Sequence, residues 1–290
     1  MPLLKVDSVG FDKWLQNENP FKRSNNVLDL SYVSFITPVG IVSLVAVCNI
    51  LANEGKKPIV YFGNNYDLYT YLDRAGFITA VSSIAAFDPN NLKGSFKNRF
   101  GSVDTLIEVT KLANLDEIND LMNRVLSTKV VSVLDSVFGY KLNDAKDIAI
   151  TISEVCQNTF DHNTGQTTCC FIAMQVYGFT ENKFLEIGIA DYGLGLAETL
   201  KRNPKKYKIT SHLDAIHLAT QHGTSEYNDA TRGSGLNYLF EKAEKHKGTL
   251  QIRSGDSAVR YRMDIKKRMD FQGLYMPGVQ ISFMLGAKKA

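Results

Sequence analysis

Through the front half of the chain, short apolar runs alternate with longer apolar-rich stretches. Residues 27–30 and 34–37 are strand-like, and residues 39–53 have helical length and stop at Glu54-Gly55. The run Pro58-Ile59-Val60-Tyr61-Phe62, closed by Gly63-Asn64-Asn65, predicts a short buried strand. Residues 66–75 predict a helix ended by Gly76. Strand, helix, strand, helix in succession predicts an α/β layer.

Leu115, Ile118, Leu121, Met122, Val125 and Leu126 recur at threes and fours and predict an amphipathic helix over 115–131. The boundary between two units is placed near it; the helix is a connector, a dimer surface, or packed against its own unit. The rear half opens with a helix over 144–162, for which Asp144 is a candidate cap. Strands are predicted at 168–177 and 184–190, then a long polar segment over 198–232 and a helix over 236–246. Three further strands are expected at 249–254, 258–265 and 279–285. Strand runs after a helical start predict an α+β sandwich with one sheet face covered by helices.

With 290 residues and roughly 100–200 residues per domain, two domains are expected. Composition is that of a globular chain, with 44% hydrophobic and 22% charged residues, which excludes disorder and low-complexity scaffolds. The net charge of +3 makes no electrostatic case for nucleic acid. Cys48, Cys156, Cys169 and Cys170 form no CxxC pair and no zinc-like spacing, so they read as buried thiols of a reducing cytoplasm. The N-terminal residues, with Lys5, Asp7, Asp12 and Lys13, do not resemble a signal peptide. The most apolar stretch, residues 39–52, is shorter than the about 20 residues of a membrane helix. A soluble cytoplasmic protein is expected.

Three segments carry candidate chemistry. On the helix around Glu154, Ile148, Ile152, Val155, Cys156 and Thr159 form the core stripe, while Glu154, Asn158, Asp161 and His162 form a second stripe. A carboxylate and a carboxamide four residues apart can hold a water and a hard cation together, and Mg²⁺ takes oxygen ligands alongside substrate phosphates. A solvated helix face has the same pattern. In the second segment, the apolar run Ile187-Gly188-Ile189-Ala190 delivers Asp191 to a turn with Gly193 and Gly195. An aspartate there can accept from an exocyclic amine such as that of adenine, or can simply cap a tight turn. The third is Arg232-Gly233-Ser234-Gly235-Leu236-Asn237, just before a helical pattern. Exposed N–H groups at a helix start suit phosphate. Neither glycine pair supplies the third glycine of a dinucleotide fingerprint, and no GxxxxGK[ST] occurs.

A Glu-xxx-Asn helix, an Asp-x-Gly-x-Gly turn, a polar segment and a Gly-x-Gly-Leu helix start follow one another once each. This order resembles the gyrase, histidine-kinase and MutL-type ATPases, the GHKL superfamily, over roughly residues 144–285. The resemblance implies a Bergerat-type α+β sandwich, a mixed sheet covered by helices on one face, that binds ATP and Mg²⁺. It implies that Glu154 polarises the attacking group as catalytic residue, Asn158 binds Mg²⁺, and Asp191 contacts the adenine amine. Gly193, Gly195, Gly233, Gly235 and Leu236 would shape the nucleotide pocket. Asp161 and His162 stand where relatives carry polar pocket residues, and Gly223-Thr224-Ser225 resembles the small-residue stretch of the family's lid, with Thr224 toward the nucleotide. Arg232 and the cluster Lys201, Arg202, Lys205, Lys206 and Lys208 either reach phosphates or form a solvated face. Where family members often have Gly-Thr before the last strand, this chain has Gly278-Val279, which removes one expected hydroxyl.

The front half, over about residues 26–79, is similar in layout to a STAS domain, the anti-sigma-factor-antagonist fold. It departs at Thr37-Pro38-Val39-Gly40, where Pro38 occupies the phosphoacceptor position and Thr37 is the one nearby hydroxyl. The expected organisation is a STAS-like unit at 1–113, a connector helix at 114–139 and a GHKL-type unit at 140–290. Three outcomes share the site: an ATPase whose lid closure regulates a protein partner, a serine/threonine kinase acting on a separate STAS partner, and a non-catalytic ATP-sensing module. A protein partner is expected through the STAS-like unit, with homodimerisation open and neither nucleic acid nor membrane as partner. The helix over 115–131 has no histidine, which argues against a self-phosphorylating histidine kinase.

Overall fold

The computed structural model describes residues 4–23, 25–89, 106–163, 168–178, 183–221 and 235–286. The chain is a mixed α/β protein. Its front half contains β1 (Leu4–Val6), α1 (Gly10–Glu18), β2 (Val27–Asp29), β3 (Val33–Ile36), α2 (Pro38–Asn53), β4 (Ile59–Tyr61), α3 (Tyr66–Arg74), α4 (Phe77–Val81) and β5 (Ala86–Asp88). Strands β2, β4 and β5 form a parallel sheet, and β1 pairs with β3, also parallel. Pro38 opens α2, where its missing N–H and fixed φ cost nothing. Every residue from Pro38 to Cys48 is buried, as expected of a helix that is apolar all round. The apolar stretch read from the sequence is thus a core helix. Among the described residues, no helix is long and apolar enough to cross a membrane.

The rear half contains β6 (Leu106–Leu112) and α5 (Leu115–Leu121), which runs on through wider π-helical turns at Met122–Val130 and Val133–Val137. Then come α6 (Leu142–His162), β7 (Cys170–Tyr177), β8 (Phe184–Asp191), α7 (Leu196–Lys201), α8 (His212–Ala219), α9 (Gly235–Lys245), β9 (Thr249–Arg262) and β10 (Lys267–Gly286). One antiparallel sheet runs β6-β7-β8-β10-β9. Strand alternation sends Leu185, Ile187 and Ile189 of β8 into a core shared with Ile148 and Ile152 of α6. The opposite face, with Phe171, Ala173 and Ala190, joins the core of the front half around α2.

Five sequence expectations need correction. The rear sheet, expected to be mixed, is antiparallel at every pairing of its described strands. The sheet is covered on both faces, because α2 lies across β7 and β8 on the side expected to be open. The front unit was drawn to residue 113, yet β6 hydrogen-bonds to β7 and edges the rear sheet. Asp144 does not cap α6; it lies in the first turn and pairs with Lys245 at 2.7 Å. The strands expected at 249–254, 258–265 and 279–285 fall on two long strands, β9 and β10, except that residues 263–265 form the turn between them. Gly255 and Pro277 lie within β9 and β10 near their register shifts. The helix starting at Leu115 packs on its own unit, with Ile118, Leu121, Leu126 and Val130 in the α6 core.

The two halves meet most closely at β8. A Cβ on Gly188 would lie 2.4 Å from the Val39 nitrogen, so only glycine lets the first turn of α2 rest on the strand. Beside it, Glu186 is buried, and its Oε1 accepts from the Thr37 hydroxyl at 3.1 Å and the Ser282 hydroxyl at 2.9 Å. Burial pushes the Glu186 carboxyl up to about 7; the two hydroxyls oppose that rise, Asp7 adds to it and Lys5 opposes it. Buried Arg253 adds a second tie, donating to Asp12 of α1 at 2.8 Å.

A carboxyl with a raised folded pKa holds its proton longer in the native state than in the unfolded chain. Stability therefore falls as pH rises from the unfolded value of about 4.3 to about 7, and then levels. Asp191, raised likewise, adds to the same slope. Glu186→Gln should flatten the Glu186 share of that slope and stabilise the protein at pH 8 by on the order of 2 kcal/mol. Urea unfolding across pH checks this; an unchanged slope contradicts it.

Candidate functional site

The site grows from α6. Its core stripe (Ile148, Ile152, Val155 and Cys156) fixes the helix on the sheet, which leaves Glu154, Asn158, Asp161 and His162 half-buried on the flank. Asn158 and His162 line a cleft with Thr159 and Asn163 of the same helix end, Asp191 at the end of β8, Leu196 of α7, Leu236 of α9 and Val279 of β10. The cleft thus brings Asn158 and His162 of α6 together with Asp191 and Leu236, from three segments far apart in sequence. Glu154 and Asp161, although half-buried on α6, are not among its lining residues.

Asp191 is 7% exposed. It continues the Leu185, Ile187, Ile189 face of β8, so its side chain turns toward α6 and the cleft. Its Oδ1 accepts the Gly193 N–H at 2.9 Å. The Val279 backbone and the Thr159 side chain favour its charged form as well. Burial pushes the group up to about 7, against the pull of these donors, and no cation among the described residues contributes. Gly278, just before Val279, has φ +83°, and a Cβ there would lie 2.2 Å from the Asp191 carbonyl oxygen. The glycine of the Gly278-Val279 pair is therefore needed, while Val279 brings a backbone donor and no hydroxyl.

Two polar residues of the turn were not singled out in the sequence. Asn163 is buried; its Nδ2 donates to the Thr159 carbonyl at 2.6 Å, and its Oδ1 accepts the Leu194 N–H at 2.5 Å. Gly193 packs against that amide. Ser254 of β9 accepts the Leu196 N–H at 2.9 Å and donates to the Gly278 carbonyl at 3.3 Å, beside Gly195. Asn163 directly follows the polar stripe, but as the helix-closing residue it falls outside a periodicity argument. Ser254 has no local signal, since its role depends on β9 lying opposite the β8 turn.

Gly235 opens α9 against α6: a Cβ there would lie 3.0 Å from Asn158 Nδ2 and 3.6 Å from the Glu154 Cβ. Glu154 thus sits one turn before Asn158 beside the start of α9. Burial raises its carboxyl above the usual carboxylate range, and Lys242 partly offsets this. Thr224 and Gly233, with Gly223, Ser225, Arg232 and Ser234, lie outside the described residues. Lys201, Arg202, Lys205, Lys206 and Lys208 are exposed, and Arg202 donates to the His162 carbonyl at 2.9 Å, which links the end of α7 to the end of α6.

Among the described residues, no group of three or more His, Cys, Asp or Glu side chains could hold a metal. Asn158 offers one carboxamide oxygen at the cleft wall. Neither the comparison with models of known protein families nor that with curated proteins finds a match.

Asn163→Ala leaves the Leu194 N–H and the Thr159 carbonyl without their buried partner. It should cost about 1–3 kcal/mol in urea unfolding. A loss within about 0.5 kcal/mol, the range of ordinary surface changes, contradicts this role.

Proposed function

We propose that the protein is a cytoplasmic Mg·ATP-binding protein of GHKL type, an ATPase whose nucleotide-driven lid movement regulates a protein partner. The observation that carries this reading is the convergence of Asn158, Asp191 and Leu236, from three separate segments, on one cleft. Asp191 supplies a buried acceptor without a cation partner among the described residues, which suits the amine edge of adenine. Asn158 would hold Mg²⁺ against the phosphates, and the start of α9 would face them with its N–H groups. Bound there, the metal supplies charge neutralisation to phosphoryl transfer.

Glu154 serves as the base or water-positioning group. Its raised affinity for a proton supports this role, since a general base works best with a pKa moved toward operating pH. The helices on the α6 side of an antiparallel sheet are consistent with a Bergerat-type layer. The parallel strands β2, β4 and β5 around α2 are consistent with a STAS-like front unit, through which a protein partner would dock. Thr37 is 3% exposed and donates to Glu186. Its burial argues against phosphorylation of the front unit by the rear and favours the ATPase reading over a kinase acting within the chain.

Incubation with γ-labelled ATP should release free phosphate from the protein alone. Label transferred to a second protein supports a kinase instead; bound nucleotide with neither outcome supports the sensing module; no binding contradicts the proposal. Glu154→Ala should keep nucleotide affinity and lower turnover at least about 100-fold. Asn158→Ala should weaken Mg·ATP about tenfold or more and leave metal-free ATP binding nearly unchanged. Unchanged turnover in the first variant removes the base assignment.

A further inference from the structure

The end of β8 that carries Asp191 is held from the front half of the molecule through a chain of buried side chains. We propose that Arg253 is a positioning residue for the Asp191 end of the cleft: docked on Asp12 of α1, it orients the Gln280 amide that holds the Asp191 and Pro277 carbonyls, so that nucleotide affinity depends on how the front half is seated. The inference rests on the ATP-binding reading above and goes beyond it in naming how that site is regulated.

The backbone around Asp191 needs such a support. The ladder between β10 and β8 runs from Gly286–Phe184 to Gln280–Ala190, and Asp191 lies one residue past it. On the other side of β10, the register with β9 shifts between Met276 and Val279. A side chain spans this place. Gln280 Nε2 donates to the Asp191 carbonyl at 3.2 Å and to the Pro277 carbonyl at 3.3 Å. One amide therefore clasps the last residue of β8 to the turn before Val279, and both Asp191 and Val279 line the cleft.

The orientation of this amide follows from its neighbours. A guanidinium only donates, and backbone carbonyls only accept. Arg253 Nη1 donates to Gln280 Oε1 at 3.2 Å, so the oxygen faces β9 and the nitrogen faces the two carbonyls. Turned by half a rotation, the amide would set its donors against the guanidinium and its acceptor against the carbonyls. Gln280 is 2% exposed, which leaves these groups to satisfy one another. Arg253 thus commits the amide to the orientation that holds Asp191.

Arg253 is fixed in turn from α1. Its Nε donates to Asp12 Oδ1 at 2.8 Å, Nη1 also reaches the Gly255 carbonyl at 3.2 Å, and Nη2 donates to the Leu274 carbonyl. A planar guanidinium carries its donors in one rigid fork, so fixing Nε sets the direction of Nη1. The irregular stretch of β10 between Gln272 and Met276 is shaped around the pair, since a Cβ on Gly273 would lie 2.9 Å from Asp12 Oδ1. Among the described residues, Asp12 is the one carboxylate within ion-pair distance of Arg253. Removing that acceptor leaves a buried charge unpaired and favours a guanidinium turned away from Gln280.

The test is calorimetry of ATP with the full chain, once with Mg²⁺ and once with a chelator in its place. It compares the wild type with Asp12→Ala, Asp12→Asn, Gln280→Met and the double variant of Asp12→Ala with Gln280→Met, and thermal melts show which are folded. Asp12→Ala should weaken ATP about tenfold, by the same factor with and without Mg²⁺, because the chain ends at Asp191 and not at Asn158. Asp12→Asn keeps the acceptor and should bind within about twofold of the wild type, although it removes the same counter-charge and should melt lower. Gln280→Met should weaken ATP as much as Asp12→Ala, and the double variant no further, as members of one chain require. If Gln280→Met does not fold, the contrast of alanine with asparagine at position 12 decides. A folded Asp12→Ala with wild-type affinity, an Asp12→Asn as weak as alanine, additive losses, or a loss confined to Mg·ATP overturns the role of Arg253 and leaves the ATP-binding reading intact. A wild type that binds no ATP, with or without Mg²⁺, overturns both.

Discussion

A carboxyl buried at the end of a strand, with no cation beside it among the described residues, is the constraint around which this site is arranged. Desolvation raises the cost of its charge, and only hydrogen-bond donors oppose that cost. Asp191 is in this condition because β8 is the central strand of a sheet covered on both faces, by α6 and its neighbours on one side and α2 on the other. The same strand carries a second acid in the same condition. Glu186, on the opposite face, is closed in by Thr37 and Ser282. One buried acid thus ties the two halves together, and the other opens on a cleft. The difference is the face of the strand, which the period of two assigns.

This arrangement makes the front half part of the site's support. The start of α2 rests on Gly188, three residues before Asp191, and Arg253 reaches from β9 to Asp12 of α1. A movement of the front unit would therefore press on the strand that carries the candidate base-recognition residue. Such a connection gives a regulatory reading of the cleft a physical route, because both partners of the contact are packed and neither has room to yield separately.

Much of the candidate site was legible in the sequence, and the reason is periodicity. The stripes of α6 separate at 100° per residue whatever surrounds the helix, so Glu154, Asn158 and His162 could be set on one flank. Asp191 stood out as a charge at the end of an apolar run. What escaped was long-range in origin. Asn163 and Ser254 matter only because α6 and β9 lie beside the turn after β8. The doubly covered sheet was hidden for a similar reason. The run Ile187-Gly188-Ile189-Ala190 is apolar on both faces, as a strand covered twice should be, and α2 is apolar all round, but neither names its partner. The long hairpin of β9 and β10 reads in the sequence as shorter strands, and Gly255 and Pro277 stand inside it near its register shifts. The register of a neighbouring strand, which carries them as irregularities, cannot be seen from them.

The most direct test of the account is a crystal structure of the protein with Mg²⁺ and a non-hydrolysable ATP analogue. The account predicts the adenine amine within hydrogen-bond distance of Asp191, a magnesium ion on Asn158, and the phosphates at the start of α9. A nucleotide bound elsewhere, or a cleft in which the base lies away from Asp191, would contradict it.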